Sequence, residues 1–407
     1  MMKVLQINQS DLSGGAAIAS YRLHQGLLEA NIDSKLLVGN VQKEDKLVQK
    51  VPRQGKIDTQ LYRITSRLGL NYIHLLSTYN ILKHPFYKEA DVLNFHNLHT
   101  GYFNYLAVSA LTKNKPAVYT LHDMWSFTGH CAYSYDCNKW QTGCGNCPYP
   151  DTYPKIKRDN TKWEWKFKNW VYENSNLTIV TPSNWLAQEA KKSMLDRFSV
   201  QCIPNGINTK TYQPLDQEKC RQILGIPQGK KVLMFAAQSL TETRKGGDLL
   251  KSALLQLPPS LKQELVLLIM GTGGGSFSKT LEIETVSLGY LNDDHLKSQA
   301  YSASDLFLFP TRADNLPLVL QESMACGTPM VSFNIGGVSD LVRPNITGYL
   351  APPEQAKDFA RGIIQLLEDE KLREEMSKNC RRIALEEYPL ELQAQRYISL
   401  YQELLNK

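Results

Sequence analysis

Asp314 and Glu322 stand eight residues apart in Asp314-Asn-Leu-Pro-Leu-Val-Leu-Gln-Glu322. A helix that begins near Pro317 leaves Asp314 in the loop and puts Glu322 about one turn inside, so both carboxylates face whatever binds at that helix N-terminus. Carboxylates accept hydrogen bonds from neutral hydroxyls, which suits a sugar or a ribose, and the backbone N–H groups of the same turn suit a phosphate; a capped helix with one solvated Glu is the plainer alternative. Upstream, Thr243-Arg244-Lys245-Gly246-Gly247 sets two adjacent cations beside flexible backbone. Arg offers a planar fork and Lys a point charge, a combination that fits a diphosphate as well as an exposed basic turn.

Glycines add two further anion candidates. Gly14-Gly15 follows an apolar run and opens a helical pattern, so its N–H groups and the positive end of the helix dipole can bind phosphate or carboxylate without a side chain. Met270-Gly-Thr-Gly-Gly-Gly resembles a dinucleotide loop, but Ser276–Thr285 give no clear helix opened by those glycines. His122-Asp123 ends a strand pattern, the place where open parallel sheets keep their ligands.

Half of the eight cysteines fall in Cys131-x5-Cys137-x6-Cys144-x2-Cys147. Four thiolates at such spacing can close a structural zinc site; disulfides and free thiols are the alternatives. Lys155–Trp170 interleaves Lys155, Lys157, Arg158, Lys162, Lys166 and Lys168 with Trp163, Trp165, Phe167 and Trp170. That mixture suits docking on an anionic membrane, or aromatics packed inward beneath solvated lysines.

The elements that must position these groups read as two α/β series. Lys3–Asn8, Ser34–Gly39, Val92–Phe95, Ala117–His122 and Leu177–Val180 are strand patterns, and Ala16–Ala30 is helical. Residues 40–90, basic and Tyr-rich, read as helices on loops outside the sheet. Lys231–Ala237, Leu265–Met270, Ser287–Tyr290, Leu306–Pro310 and Met330–Phe333 form the second strand series, with helices at Gly247–Gln256, Asp293–Ser302 and Leu318–Ala325. The tail from Ala356 is helical, broken at Pro389 before a last amphipathic helix, Leu390–Leu405. The expected class is α/β with parallel sheets, divided as 1–205, 206–385 and a C-terminal helix 386–407 that returns to the first domain.

Composition agrees with a globular chain. It has 407 residues, 42% hydrophobic and 21% charged, with no apolar run near the ~20 residues of a membrane span and no apparent secretion signal. Residues 1–205 hold 24 Lys+Arg against 16 Asp+Glu, and the remainder holds 22 against 24. The basic surplus therefore lies in the first half, which points to an anionic partner there or to a solvated face.

These pieces together resemble the family 4 retaining glycosyltransferases of the GT-B fold. The resemblance rests on the Asp314–Glu322 motif with its continuation through Ser332, and on Gly14-Gly15-Ala16, Leu121-His122-Asp123, Thr181–Trp185, Ile203–Ile207, Arg244–Gly246, Leu288–Leu291, Ala303–Asp305 and Gly336-Gly337, in the family's order over nearly the whole chain. It implies two facing Rossmann-like domains, the second holding a nucleotide-sugar donor. Arg244 and Lys245 would bind the diphosphate, and Glu322 the ribose hydroxyls. Backbone at Tyr290 and Leu291 would meet the base. Asp314, with Asn315, Leu316, Pro317 and Leu318, would hold donor-sugar hydroxyls and phosphate. His122 would touch the donor sugar, and Gly14 and Gly15 the phosphates and acceptor. Two departures stand out: Asp314 replaces the first Glu of the family's pair, and Ala237-Gln238-Ser239-Leu240 replaces its usual Gly-Arg-Leu.

The implied activity is transfer of a hexose, UDP-glucose being the first choice of UDP-hexose donor, to a saccharide or lipid-linked acceptor in polysaccharide synthesis. No catalytic metal is implied. The expected location is the cytoplasm, with peripheral membrane contact through the basic first half and no nucleic-acid partner. The competing readings are a sugar-nucleotide epimerase or phosphorylase on the same fold, and a zinc-containing nucleic-acid-binding protein.

Overall fold

The computed structural model describes residues 1–53, 55–273 and 281–407. The chain divides into two compact units, one made of Met1–Gly206 with Leu390–Lys407, the other of Ile207–Pro389. Among the described residues each unit is built on one parallel sheet.

The first unit contains β1 (Lys3–Ser10), β2 (Asp33–Asn40), β3 (Val48–Lys50), β4 (Val92–Phe95), β5 (Ala117–Thr120), β6 (Thr178–Thr181) and β7 (Val200–Cys202), in the order β3-β2-β1-β4-β5-β6-β7. Every residue of β4, β5 and β6 is buried, as a parallel strand covered on both faces requires. Leu5, Ile7, Leu93 and Phe95 pack on one face; Val4, Val92, Val118 and Val180 pack on the other.

That second face is closed by the helices Gly15–Glu29 and Leu390–Leu405, which bring Leu23, Leu27, Tyr397, Leu400 and Tyr401 to it. The two helices lie so close that a Cβ on Gly26 would stand 3.2 Å from Ala394 Cβ. The last helix also satisfies polar groups of the strands: Asn94 Nδ2 donates to Tyr401 Oη at 2.9 Å, and Thr120 Oγ1 pairs with Tyr397 Oη at 3.0 Å.

The second unit contains β8 (Lys231–Ser239), β9 (Leu265–Thr272), β10 (Glu284–Gly289), β11 (Leu306–Phe309), β12 (Met330–Phe333) and β13 (Gly348–Ala351), in the order β10-β9-β8-β11-β12-β13. Alternate residues of β8 serve opposite faces, Val232, Met234 and Ala236 on one and Leu233, Phe235 and Ala237 on the other. Helices Ala356–Glu368 and Glu370–Glu387 follow the sheet, and Pro389 separates them from the helix that joins the first unit.

Three strands fall outside the expected set: β3, β7 and β13. Each is an edge strand of three or four residues. β3 corrects the expectation that residues 40–90 lie wholly outside the sheet, although the helix Gly55–Arg67 does follow it.

Candidate active-site residues

In both sheets the chain order reverses at one place, between β1 and β4 in the first and between β8 and β11 in the second. Loops leaving the carboxyl ends of two strands part there and open a crevice for ligand. In the second unit Arg244 and Lys245 come from the loop after β8 and Asp314 from the loop after β11, so the topology itself brings them together.

Asp314 Oδ2 accepts from Lys245 Nζ at 2.6 Å and from Arg244 Nη1 at 3.0 Å. Arg244 Nη1 also donates to the Ala313 carbonyl, and its Nε to Glu242. Burial pushes the Lys245 ammonium below its ordinary range, against the pull of Asp314. Burial also works to raise Asp314, but the two cations more than offset it and hold the carboxyl below the usual carboxylate range. The result is a partly buried charge cluster whose cations are held in place by a carboxylate.

Backbone geometry fixes this cluster. Gly246 has φ of 70°, and a Cβ there would lie 1.8 Å from the Pro310 carbonyl oxygen. Gly336 has φ of 55°, and its Cβ would lie 2.1 Å from the Asp314 carbonyl oxygen. Both positions demand glycine on two counts, left-handed backbone and contact.

Arg312, which the sequence reading did not single out, ties the loop down. Its guanidinium donates to both Asp248 carboxylate oxygens at 2.8 and 2.7 Å, to the Thr243 carbonyl at 2.7 Å and to Glu354 at 3.0 Å.

The helix Leu318–Ala325 starts after Pro317 with no side chain capping it. Glu322, inside the helix, is buried and accepts from Tyr301 Oη at 3.1 Å. Asn315 and Leu316 are buried beside it. Tyr290 and Leu291 follow β10, Tyr290 half-exposed and Leu291 packed on the core. Gly274 and Gly275 of the second glycine run lie outside the described residues.

In the first unit Gly14, with φ of 90°, precedes the helix Gly15–Glu29. A Cβ at Gly14 or Gly15 would meet no heavy atom within 4 Å, and no side chain caps the helix. His122 lies just beyond β5, and burial lowers its pKa to about 4, so the ring is neutral near pH 7. Asp123 receives His99 Nε2 at 3.0 Å and the Trp125 amide at 2.8 Å. His96, directly after β4, contacts His122 ring to ring, Nδ1 to Nε2 at 2.9 Å. His96 and His99 occupy strand-end positions like that of His122, a signal the sequence already carried at Val92–Phe95.

The cysteine segment lies in the loops between β5 and the helix Thr161–Glu173. Cys131, Cys137, Cys144 and Cys147 are free thiols, and among the described residues no three His, Cys, Asp or Glu side chains form a group able to hold a metal ion. Burial pushes Cys131 up to about 12 and Cys144 up to about 11, and Cys147 Sγ is paired with His130 Nε2 at 3.1 Å.

The basic-aromatic stretch is divided by its helix, Thr161–Glu173. Lys168 is fully buried, 3.5 Å from the Trp125 ring centroid, and donates to the carbonyls of Trp125 and Thr128. Trp163 and Trp170 are exposed.

Two family models match the chain: Glycosyltransferase Family 4 over residues 13–211 and Glycosyl transferases group 1 over residues 216–383. The chain belongs to the family 4 glycosyltransferases. This glycosyltransferase is 27% identical over 354 residues, 81% of its length and 83% of the relative's, to the Escherichia coli (strain K12) protein named colanic acid biosynthesis glycosyl transferase WcaC. Its structure superposes on sucrose-phosphate synthase from Thermosynechococcus elongatus with a TM-score of 0.73, 17% identity and 99% coverage of both chains. Anabaena Alr3699/HepE, solved in complex with UDP and glucose, gives 0.70 at 17% identity, covering 99% of this chain and 100% of that one. The glycosyltransferase thus has the GT-B architecture of two Rossmann-like parallel-sheet units. Both models describe transferases, and neither the epimerase, the phosphorylase nor the nucleic-acid reading gains support.

Proposed function

We propose that the enzyme transfers a hexose, with retention, from a nucleotide sugar to a saccharide or lipid-linked acceptor in polysaccharide assembly, with UDP-glucose the first donor to test. The observation that carries the reading is the meeting of Lys245 and Arg244 on Asp314 beside the uncapped helix Leu318–Ala325. A nucleoside diphosphate leaves as an anion, and ordered cations and amides in a dry site stabilise the charge as the glycosidic bond breaks. Lys245 and Arg244 take the diphosphate, Glu322 the ribose, and the Tyr290–Leu291 backbone the base. Asp314 orients the cations and the sugar. His122 meets the donor sugar, and Gly14 and Gly15 serve the phosphates and acceptor. The relative named for colanic acid biosynthesis supports the polysaccharide setting, and the UDP and glucose bound by HepE support the choice of donor.

Protection against thermal unfolding by a panel of nucleotide sugars tests this directly. UDP-glucose should raise the melting temperature of the wild type and leave Lys245→Ala unmoved. No protection by any nucleotide sugar would overturn the assignment.

A second reading concerns location: cytoplasmic, with contact to an anionic membrane. Exposed Trp163 and Trp170 on the helix Thr161–Glu173 flank Lys162 and Lys166, and the helix Gly55–Arg67 exposes Ile57, Tyr62 and Ile64 among Lys56, Arg63 and Arg67. Among the described residues no helix is long and apolar enough to cross a membrane. Sedimentation with vesicles rich in phosphatidylglycerol at low salt should carry the protein down, and a soluble fraction unchanged by vesicles would retire the idea.

A further inference from the structure

Five side chains of the first unit form one continuous line of hydrogen bonds that ends on His122. It starts at His24, on the helix Gly15–Glu29, whose Nδ1 lies 2.9 Å from Ser34 Oγ on β2. Gln6 on β1 donates from Nε2 to Ser34 Oγ at 3.1 Å. Gln6 Oε1 lies 2.9 Å from His96 Nε2, and His96 Nδ1 lies 2.9 Å from His122 Nε2. Gln6, Ser34, His24 and His96 are all buried at 2% exposure or less. Water is therefore not available to replace any of these partners.

The chemistry of each group gives the line a direction. A Gln oxygen can only accept, so the atom facing it, His96 Nε2, carries a proton. A neutral imidazole has one N–H, so His96 Nδ1 is an acceptor and His122 Nε2 must be the donor. Burial keeps both rings neutral, His96 well below its ordinary range and His122 at about 4. Ser34 Oγ accepts from Gln6 and lies 2.9 Å from His24 Nδ1, a ring also held neutral by burial.

We infer that His96, held by Gln6, is a positioning residue that locks His122 as the Nε2–H tautomer and makes its Nδ1 the hydrogen-bond acceptor. The consequence for the reaction rests on the reading of His122 as the group that meets the donor sugar: its Nδ1 then accepts from a sugar hydroxyl. The rings are also stacked, 5.2 Å between centroids at 29°, so His96 fixes orientation as well as proton position. A purely apolar neighbour would leave the ring free to exchange tautomers and to turn.

Full-length protein carrying 15N-histidine tests the tautomer by long-range proton–nitrogen correlation, with His122→Gln identifying the ring among the eight histidines. The wild type should show His122 protonated at Nε2 and bare at Nδ1. In His96→Leu the two nitrogens should average toward each other, while His96→Asn, whose Oδ1 can stand near the place of Nδ1 as an acceptor, should restore the wild-type pattern. With UDP-glucose as donor, kcat of His96→Leu should fall by about 10²-fold, the scale of a displaced catalytic contact, with donor KM little changed and partial recovery in His96→Asn.

A proton on His122 Nδ1 in the wild type, or an unaltered His122 spectrum in His96→Leu, overturns the inference. Wild-type turnover in His122→Ala would instead overturn the role given to His122 and leave the tautomer standing. If His96→Leu loses its native melting transition, Gln6→Leu removes the acceptor that fixes the His96 tautomer while keeping its ring, and His122 should again lose its single-tautomer pattern; an unaltered His122 spectrum in that variant overturns the inference.

Discussion

Lys245 Nζ stands 2.6 Å from Asp314 Oδ2, a partly buried ion pair joining the loops that follow β8 and β11. Arg244 shares the same oxygen at 3.0 Å. One carboxylate therefore aligns two cations, and the one-methylene contraction from Glu to Asp at 314 is where the shared contact is made.

Removal of Lys245 tests that pair most directly. Lys245→Ala should lower kcat by about 10²–10³-fold, the range for losing one preorganised group facing a developing anion, and leaves Asp314 with Arg244 alone. Steady-state kinetics with UDP-glucose provide the measurement, and a variant within a few-fold of wild type would dismiss the cation from the reaction.

Asp314→Asn should act on the cations as well as on the sugar. Loss of the carboxylate removes the influence that opposes burial at Lys245, so the ammonium should titrate lower still. The pH profile of turnover for this variant should therefore begin to fall at lower pH on its alkaline side than that of the wild type. A profile superimposable on the wild type would disprove the coupling.

Arg312 is predicted to matter without touching substrate. Arg312→Lys cannot keep two bonds to Asp248 and one to the Thr243 carbonyl together. Because Asp248 and Glu354 are largely exposed, the loss should be modest, about 1 kcal/mol. It should appear chiefly as a raised donor KM, since the loop carrying Arg244 and Lys245 loosens.

Acid should destabilise the first unit through its buried histidines. His24 is neutral in the fold, its pKa lowered to about 4 by burial with partial opposition from Asp45, and burial holds His96 well below its ordinary range. The unfolded chain takes up these protons near pH 6.5, so the stability they represent is present above that pH and is lost as pH falls toward 4. For His24 alone the loss by pH 5 should be about 2 kcal/mol. Urea midpoints at pH 7.5 and pH 5.0 measure it, and His24→Gln should flatten the slope.

The residues that carried chemistry in the sequence were those with unusual neighbours. Asp314 and Glu322 flank a Pro that starts a helix, and Arg244 and Lys245 precede a Gly that no other residue can replace. Central strands were legible because burial on both faces leaves an unbroken apolar run, as in Leu306–Phe309. The edge strands β3, β7 and β13 were not, since one side of each lacks a partner and their three or four residues mix polar with apolar. Arg312 and His96 escaped for another reason. Their partners lie far away in sequence, Asp248 at 64 positions and Gln6 at 90, and such pairings exist only once the sheets are ordered.

The helix Leu390–Leu405 has a consequence for biosynthesis. The ribosome delivers it only after the whole of the second unit, yet Val4, Val92, Val118 and Val180 depend on it for cover. Domains tend to fold as they emerge, so the second unit can mature while the first still presents an apolar face. A chain halted before residue 390 would hold a finished second unit joined to an unfinished first one, a species marked for chaperones or proteases. The order of segments thus makes completion of translation a condition for a competent first unit.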